Sequence, residues 1–275
     1  MTSLIVWSAA DSRGVSSLNI ATDSRISWKV GPNIVTWDHG QKIFASKRVP
    51  LVAGIVGDVT FPALVIPRII DHLEAGFSRK SQNMSDYFYI SIRRVWKDYP
   101  QEVPALPITI YVAYRVGSGM SSEFKLIKYY NGSNDRNNWS EEHFEIPKQS
   151  QLIVADGSGK KDAEVEIQHW GSSPAGGTSR AIFSGFVDGL IDNRDPASGG
   201  APQLGCIYRN GNGRLLGVLH IGQRFYEGSD LLANDELDSV EWRNDIFERV
   251  SGETKRRIVN AQVHEDYSKV RSGAR

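Results

Sequence analysis

Thr2, directly behind the initiator methionine, is the first residue whose type and position suggest chemistry. A threonine hydroxyl is a weak nucleophile, but an N-terminal α-amine, with an ordinary pKa of about 7.7 to 8.0, can serve as its base. This chemistry requires removal of Met1, since the nitrogen of Thr2 is otherwise an amide. Met-Thr is a start from which methionine is commonly excised. Thr2 is therefore a candidate N-terminal nucleophile; the alternative is that it only begins an edge strand.

Histidine and cysteine offer no comparable chemistry. The six histidines show no metal-ligand spacing, and Cys206 is the only cysteine, which excludes an intrachain disulfide and a cysteine-based metal site. We therefore expect no metal and no cofactor. A single buried thiol also fits a reducing compartment.

The composition excludes several classes of protein. The 275 residues are 40% apolar, enough for a sizeable core, and Lys plus Arg and Asp plus Glu each total 32. This balance gives no overall field that would attract nucleic acid or an anionic membrane. The start lacks a basic region, and no run approaches the roughly 18 to 20 apolar residues of a membrane span. We expect a cytoplasmic protein without nucleic-acid or membrane partners.

The elements that would position Thr2 follow the order strands, helix pair, strands, helix pair, strands. Short apolar or alternating runs within 4–56 predict hairpins of an antiparallel sheet, and residues 131–142 predict a loop. The remaining predicted elements are helices at about 59–75 and 85–97, strands at about 107–116, 124–130 and 151–155, an interrupted helical region within 160–192, and strands at about 203–209 and 215–221. Runs of this kind are typical of sheets covered by helices, not of alternating parallel β-α units.

The chain divides into a main domain, 2–227, and a C-terminal segment, 228–275. In the second part, apolar residues recur at helical spacing between charged ones: Leu237, Val240, Trp242, Ile246, Phe247 and Val250. The spacing predicts a helical C-terminal extension.

Four stretches, taken together, carry a resemblance to a known family. They are Thr2–Val6, Ile20–Arg25, Gln41–Phe44 with Ala53–Asp58, and Gly157–Gly159 with Arg194–Gly200. In this order and spacing, over roughly residues 2 to 221, the chain resembles β-type subunits of the 20S proteasome, the bacterial HslV peptidase and related bacterial proteasome-like proteins. The resemblance implies an α+β fold, the four-layer α/β/β/α sandwich of N-terminal-nucleophile (Ntn) hydrolases, with two antiparallel sheets between helix layers.

The resemblance also implies roles for four residues. Thr2 would be the nucleophile, Lys42 would help to activate its oxygen, and the carboxylate of Asp23 would orient Lys42. The backbone N–H of Gly57 would form the oxyanion hole, where one preorganised donor is worth about 100 to 1,000-fold in rate. A partly exposed lysine here contributes little to packing, so Lys42→Ala should abolish activity without unfolding the protein. Taken singly, a solvated lysine, a turn aspartate and a strand-end glycine remain as alternatives.

Three further residues match those that surround the threonine amine in the family and support its proton shuttling: Ser158, Asp195 and Ser198. The segment from Asp195 to Gly200 is the more specific match, because an acidic residue, a serine three positions on and a glycine pair coincide with the other motifs.

Substrate preference is indicated by four apolar residues that fall about where the family's first specificity pocket is lined: Ile26, Phe44, Ile55 and Val59. Such a pocket would favour an apolar residue before the scissile bond. The alternative is that these residues are plain core.

Together these features predict a threonine-type endopeptidase that hydrolyses peptides or unfolded proteins through an acyl-enzyme ester. The resemblance further implies homo-oligomeric rings, with an ATPase or another regulator as a candidate partner. A non-catalytic ring subunit is the alternative, although such a subunit has no chemical reason to keep all seven site residues. A different Ntn amidase that acts on a small molecule is a third reading, but those enzymes usually begin with Cys or Ser.

Overall fold

The computed structural model describes residues 2–77, 83–100, 106–132, 138–232 and 236–272. Within these ranges the chain has a mixed α+β fold, with five α-helices and three sheets in which neighbouring strands are antiparallel, apart from one short parallel pair. The helices are α1 (Thr60–Glu74), α2 (Met84–Lys97), α3 (Lys160–Gly171), α4 (Ser179–Ile191) and α5 (Lys269–Ser272).

The strands, in chain order, are β1 (Ser3–Asp11), β2 (Gly14–Thr22), β3 (Ile26–Val30), β4 (Asn33–Trp37), β5 (Ile43–Ala45), β6 (Leu51–Gly57), β7 (Ile108–Val116), β8 (Glu123–Asn131), β9 (Trp139–Phe144), β10 (Gln151–Gly157), β11 (Gln203–Tyr208), β12 (Gly213–His220), β13 (Gln223–Tyr226), β14 (Ser229–Asp230), β15 (Trp242–Asn244) and β16 (Arg249–Val250). Short 3₁₀ turns occupy Gly119–Ser121 and Leu237–Ser239.

The largest sheet has nine strands, with the path β10-β1-β2-β11-β12-β13-β14 and with β15 and β16 added beside β12. Side chains alternate between the two faces of a strand, and β1 is buried on both. Leu4 and Val6 join one apolar cluster, whereas Ile5 and Trp7 join a second cluster with α3 and α4. The first strand therefore starts in the interior of the protein.

The second sheet has the strand order β5-β6-β7-β8-β9. On β6, Ala53 and Ile55 belong to a cluster that includes residues of α1 and α2, while Val52 and Val56 belong to the cluster that contains Leu4 of the large sheet. One apolar cluster is thus shared by both sheets, and each sheet also packs against a pair of helices.

The third sheet is the two-stranded hairpin of β3 and β4, which joins the end of β2 to the start of β5. Its residues are exposed or half-buried. An exposed two-stranded hairpin adds little rigidity of its own, so other contacts must fix the two chain segments that it connects.

The predicted helices over 59–75 and 85–97 are confirmed as Thr60–Glu74 and Met84–Lys97. Pro67 lies inside the first of them. The predicted strands at 107–116, 124–130, 151–155, 203–209 and 215–221 are confirmed to within a few residues. The predicted loop at 131–142 is wrong at both ends, because β8 runs to Asn131 and β9 begins at Trp139, and residues 133–137 lie outside the described ranges.

The prediction of a helical C-terminal extension is wrong. The described residues of this segment, 228–232 and 236–272, contain β14, a 3₁₀ turn, β15, β16 and the one-turn helix α5. Strand pairing replaces the helix, because β15 adds in parallel to β12 and places Trp242 against Gly217. In addition, Phe247 has a φ of 64°, which lies outside the right-handed α-helical region. The spacing that suggested a helix belongs to side chains that pack on the large sheet: Leu237, Trp242 and Val250 form a small cluster with Leu219.

Within the described ranges, none of the helices combines the length and apolar character needed to cross a bilayer.

Candidate active site

A buried ion pair lies between the two large sheets. Nζ of Lys42, just before β5, is 2.7 Å from Oδ1 of Asp23, just after β2, and both side chains are 0% exposed. Desolvation lowers the pKa of Lys42, and the negative charge of Asp23 opposes that shift. The expectation of a partly exposed Lys42 is therefore wrong, because the lysine is enclosed where the two sheets meet.

Asp23 also receives hydrogen bonds that make its burial tolerable. The backbone N–H of Ser3 donates to Oδ1 at 3.0 Å, and that of Gly199 donates to Oδ2 at 2.9 Å. The hydroxyl of Ser198 donates to Oδ2 at 3.3 Å. Together with the ammonium of Lys42, these three donors provide hydrogen bonds to both oxygens of the buried carboxylate.

Thr2 is 0% exposed and precedes the first residue of β1. Its carbonyl accepts a hydrogen bond from the N–H of Gly159 at 3.4 Å. The nitrogen of the following residue, Ser3, binds the same oxygen of Asp23 as Lys42 does. The Thr2–Ser3 peptide nitrogen therefore lies at most two hydrogen-bond lengths from the ammonium of Lys42.

Gly57 ends β6 in a conformation that requires glycine. Its φ is +92°, and a Cβ at this position would lie 1.9 Å from the carbonyl oxygen of Pro107. The register connects it to Lys42, because the N–H of Ile55, two residues earlier, donates to the Lys42 carbonyl at 3.1 Å. Because β5 and β6 are antiparallel, Gly57 lies beyond the N-terminal end of β5, on the same side as Lys42.

The segment before β11 contributes Ser198, whose hydroxyl lies 2.7 Å from that of Ser3. Asp195 shapes this segment by accepting from the N–H of Ala197 at 3.0 Å, while its Oδ2 is buried without a hydrogen-bond partner in the described part of the chain. Ser158 is separate: it is exposed in the turn between β10 and α3, and among described residues its hydroxyl has no hydrogen-bond partner. Asp23, Lys42 and Ser198 therefore meet around Ser3.

The four predicted pocket residues are not equally accessible. Ile55 is 0% exposed and belongs to the apolar cluster under α1 and α2, as does Phe44. Ile26, at the start of β3, and Val59, before α1, are half-buried. Phe44 also lines a cavity of about 630 Å³ beside the second half of α1.

Three contributors to the site had no role assigned from sequence. Ser3 and Arg25 lie within the stretches that resemble proteasome β-type subunits, whereas Gln203 lies outside all of them. Arg25 forms a two-point pair with Asp38, with distances of 2.7 and 2.8 Å, and donates to the carbonyls of Pro196 and Ser198, both at 3.2 Å. It ties the hairpin base to the segment that holds Ser198.

No group of three or more histidine, cysteine, aspartate or glutamate side chains in the described ranges is placed to hold a metal ion. Comparison of the chain with protein-family models gives no match. A comparison with curated proteins also gives no match.

Proposed function

We propose that this chain is a proteasome-like threonine peptidase in which Thr2, after removal of Met1, is the N-terminal nucleophile. One observation carries the proposal: the carboxylate of Asp23 holds both the ammonium of Lys42 and the N–H of Ser3, in a site without solvent exposure. A lysine is rarely buried completely, and here it lies beside the one residue whose α-amine and hydroxyl can act together.

In this reaction the Thr2 hydroxyl attacks the peptide carbonyl, and its proton passes to the Thr2 α-amine. Lys42 stabilises the developing alkoxide, while the N–H of Gly57 donates to the oxyanion. The protonated amine then returns the proton to the leaving amine of the peptide, which gives an ester on Thr2. Water hydrolyses the ester by the same route in reverse. Ser158, Asp195 and Ser198 would support the proton transfers at the amine.

The packing supports an assignment of the fold to four layers. The order α1 with α2, five-stranded sheet, nine-stranded sheet, α3 with α4 follows from three apolar clusters, one shared by both sheets and one under each helix pair. We propose that this is the four-layer α/β/β/α sandwich of Ntn hydrolases. In that fold the nucleophile begins a strand of one inner sheet, as Thr2 precedes β1.

We further propose a cytoplasmic, homo-oligomeric ring that encloses the site and acts on peptides or unfolded proteins, served by an ATPase or another regulator. Enclosure restrains an unselective peptidase. Analytical ultracentrifugation tests this point, since only a monomer near 30.6 kDa at all working concentrations contradicts it.

A non-catalytic ring subunit is the second candidate, and the position of Ser158 favours it. Ser158 is exposed, and within the described ranges no hydrogen bond joins it to Asp195 or Ser198, so one member of the implied proton-shuttling group is out of place. Such a subunit would assemble but hydrolyse nothing.

Hydrolysis of fluorogenic peptides by three proteins separates these candidates. The peptidase proposal expects turnover by the wild type and none by Thr2→Ala. Thr36→Ala is the matched control, because Thr36 is exposed on β4, and it should keep wild-type turnover. If Thr2→Ala and the wild type hydrolyse equally, Thr2 is not the nucleophile.

A further inference from the structure

Gln203, the first residue of β11, links the two chain segments that carry the buried ion pair. Its side chain is 3% exposed. Nε2 donates to the carbonyls of Asp23 at 3.1 Å and Gly40 at 2.8 Å, and Oε1 accepts from the backbone N–H of Lys42 at 3.1 Å. Both N–H groups of the amide are used in these bonds, so Gln203 has no free donor for a substrate.

These bonds act at the base of an exposed hairpin. Asp23 follows β2 of the nine-stranded sheet, and Lys42 precedes β5 of the five-stranded sheet. The covalent connection between them passes through the exposed hairpin of β3 and β4. Other ties also join the hairpin base: the N–H of Gly40 donates to the carbonyl of Ser24 at 2.8 Å, and Arg25 pairs with Asp38, with side chains 24% and 37% accessible. Gln203 is the buried side chain that hydrogen-bonds to the backbones of both Asp23 and Lys42.

We propose that Gln203 is a positioning residue for the threonine-peptidase reaction, and that it sets the ammonium of Lys42 relative to Asp23 and Thr2 through three backbone hydrogen bonds. The inference rests on the proposed function. It assigns Gln203 no contact with the peptide substrate, so the effect of a substitution should fall on the chemical step and not on substrate binding.

Gln203→Met tests this role, because methionine has a similar length and fills the space but makes none of the three hydrogen bonds. A displacement of about 1 Å at a reacting group can reduce turnover on the order of 100-fold, and we expect kcat to fall by about that factor. KM should stay within about 3-fold, because uniform substrate binding is unchanged. Gln203→Glu keeps an acceptor for the N–H of Lys42 but turns a carboxylate oxygen toward the carbonyls of Asp23 and Gly40, so its kcat should fall at least as far.

A second readout is independent of activity. In protein with ¹³C-labelled lysine, the Lys42 side-chain signal, identified by its loss in Lys42→Arg, is titrated by NMR. Loosening the three bonds admits water, and hydration should raise the pKa of Lys42 toward its ordinary value. Gln41→Ala is the control, because the Gln41 amide donates at 3.2 Å to the carbonyl of Ile43 in its own segment. It should leave kcat within about 2-fold and the Lys42 titration unchanged.

The possible outcomes are distinguishable. If Gln203→Met keeps wild-type kcat and an unchanged Lys42 titration, the positioning role is wrong and the proposed function stands. If the wild type without Met1 hydrolyses no peptide, the proposed function fails and the positioning role fails with it. Circular dichroism and Tm establish folding, and Gln203→Glu takes the place of Gln203→Met should the methionine variant not fold. A folded Gln203→Glu variant with wild-type kcat and Lys42 titration likewise overturns the role.

Discussion

The ammonium of Lys42 and the carboxylate of Asp23 form a 2.7 Å ion pair with no solvent exposure on either side chain. Removing two charges from water is unfavourable, and such a pair is tolerated when further hydrogen bonds satisfy it. Asp23 receives them from the backbone of Ser3 and Gly199. The pair therefore depends on the chain start and on the segment before β11, as well as on its own two residues.

Lys42→Met should destabilise the protein by about 3 to 5 kcal/mol, because it leaves the carboxylate of Asp23 buried without its counter-ion. It should also abolish peptide hydrolysis. Urea denaturation measures the change in the free energy of unfolding. Lys125→Met is the matched control, since Lys125 pairs with Glu123 on the surface, and its effect should stay below about 1 kcal/mol. Equal stability of the two variants would contradict a buried ion pair.

The stability contributed by Lys42 should rise with pH. Burial lowers the pKa of the folded-state lysine below its ordinary 10.5, so between the lowered value and 10.5 the unfolded state binds more protons at this side chain. In that window the free energy of unfolding of the wild type should increase with pH relative to Lys42→Met. Urea titrations of both proteins from neutral pH to 10.5 measure the difference. A difference that falls with rising pH contradicts the assigned direction of the shift.

Gly57→Ala should be more destabilising than Gly31→Ala and should remove activity. Both glycines have positive φ, +92° and +59°, so each alanine adds strain of about 1 to 2 kcal/mol. Only at position 57 does the new Cβ also meet a backbone oxygen, that of Pro107, whereas nothing lies within 4 Å at position 31. Tm and kcat of both variants are the measurements. Similar Tm values would mean that Pro107 moves freely, against the geometry described for the end of β6.

Cys206 should be inert in the folded protein. It is 0% exposed on β11, and burial raises the pKa of its thiol to about 12, so neither access nor ionisation favours alkylation. Iodoacetamide at pH 8.5 should leave native protein unmodified, while protein in guanidinium chloride should gain one adduct by intact mass. Rapid labelling without denaturant would show that the apolar cluster under α3 and α4 opens readily.

The spacing of apolar residues correctly predicted elements that bury one face against a single neighbouring layer. Helix α2 is such a case, with Phe88, Ile92 and Trp96 buried at helical spacing. It failed in the tail, where apolar residues between Leu237 and Val250 also recur at helical spacing, but Trp242 and Val250 are buried on paired short strands. Periodicity reports which residues are buried and leaves open whether a helix or a strand buries them.

The candidate site was predictable to the extent that its residues lie in recognisable stretches. Asp23, Lys42 and Ser198 come from three separate stretches and meet in the structure. The role of Gln203 was not predictable, because a glutamine at the start of a strand carries no motif and its three partners lie about 160 to 180 residues away. The full burial of Lys42 likewise depends on how the two sheets meet.

The state of Thr2 tests the central claim most directly. Protein purified from its native cells is incubated with a peptide epoxyketone, which needs both a hydroxyl and a free α-amine, and is then analysed by intact and tandem mass spectrometry. We predict a chain without Met1 that carries one covalent adduct on Thr2, and no adduct on Thr2→Ala. A chain that quantitatively retains Met1 and remains unmodified by the epoxyketone would contradict the threonine-peptidase account.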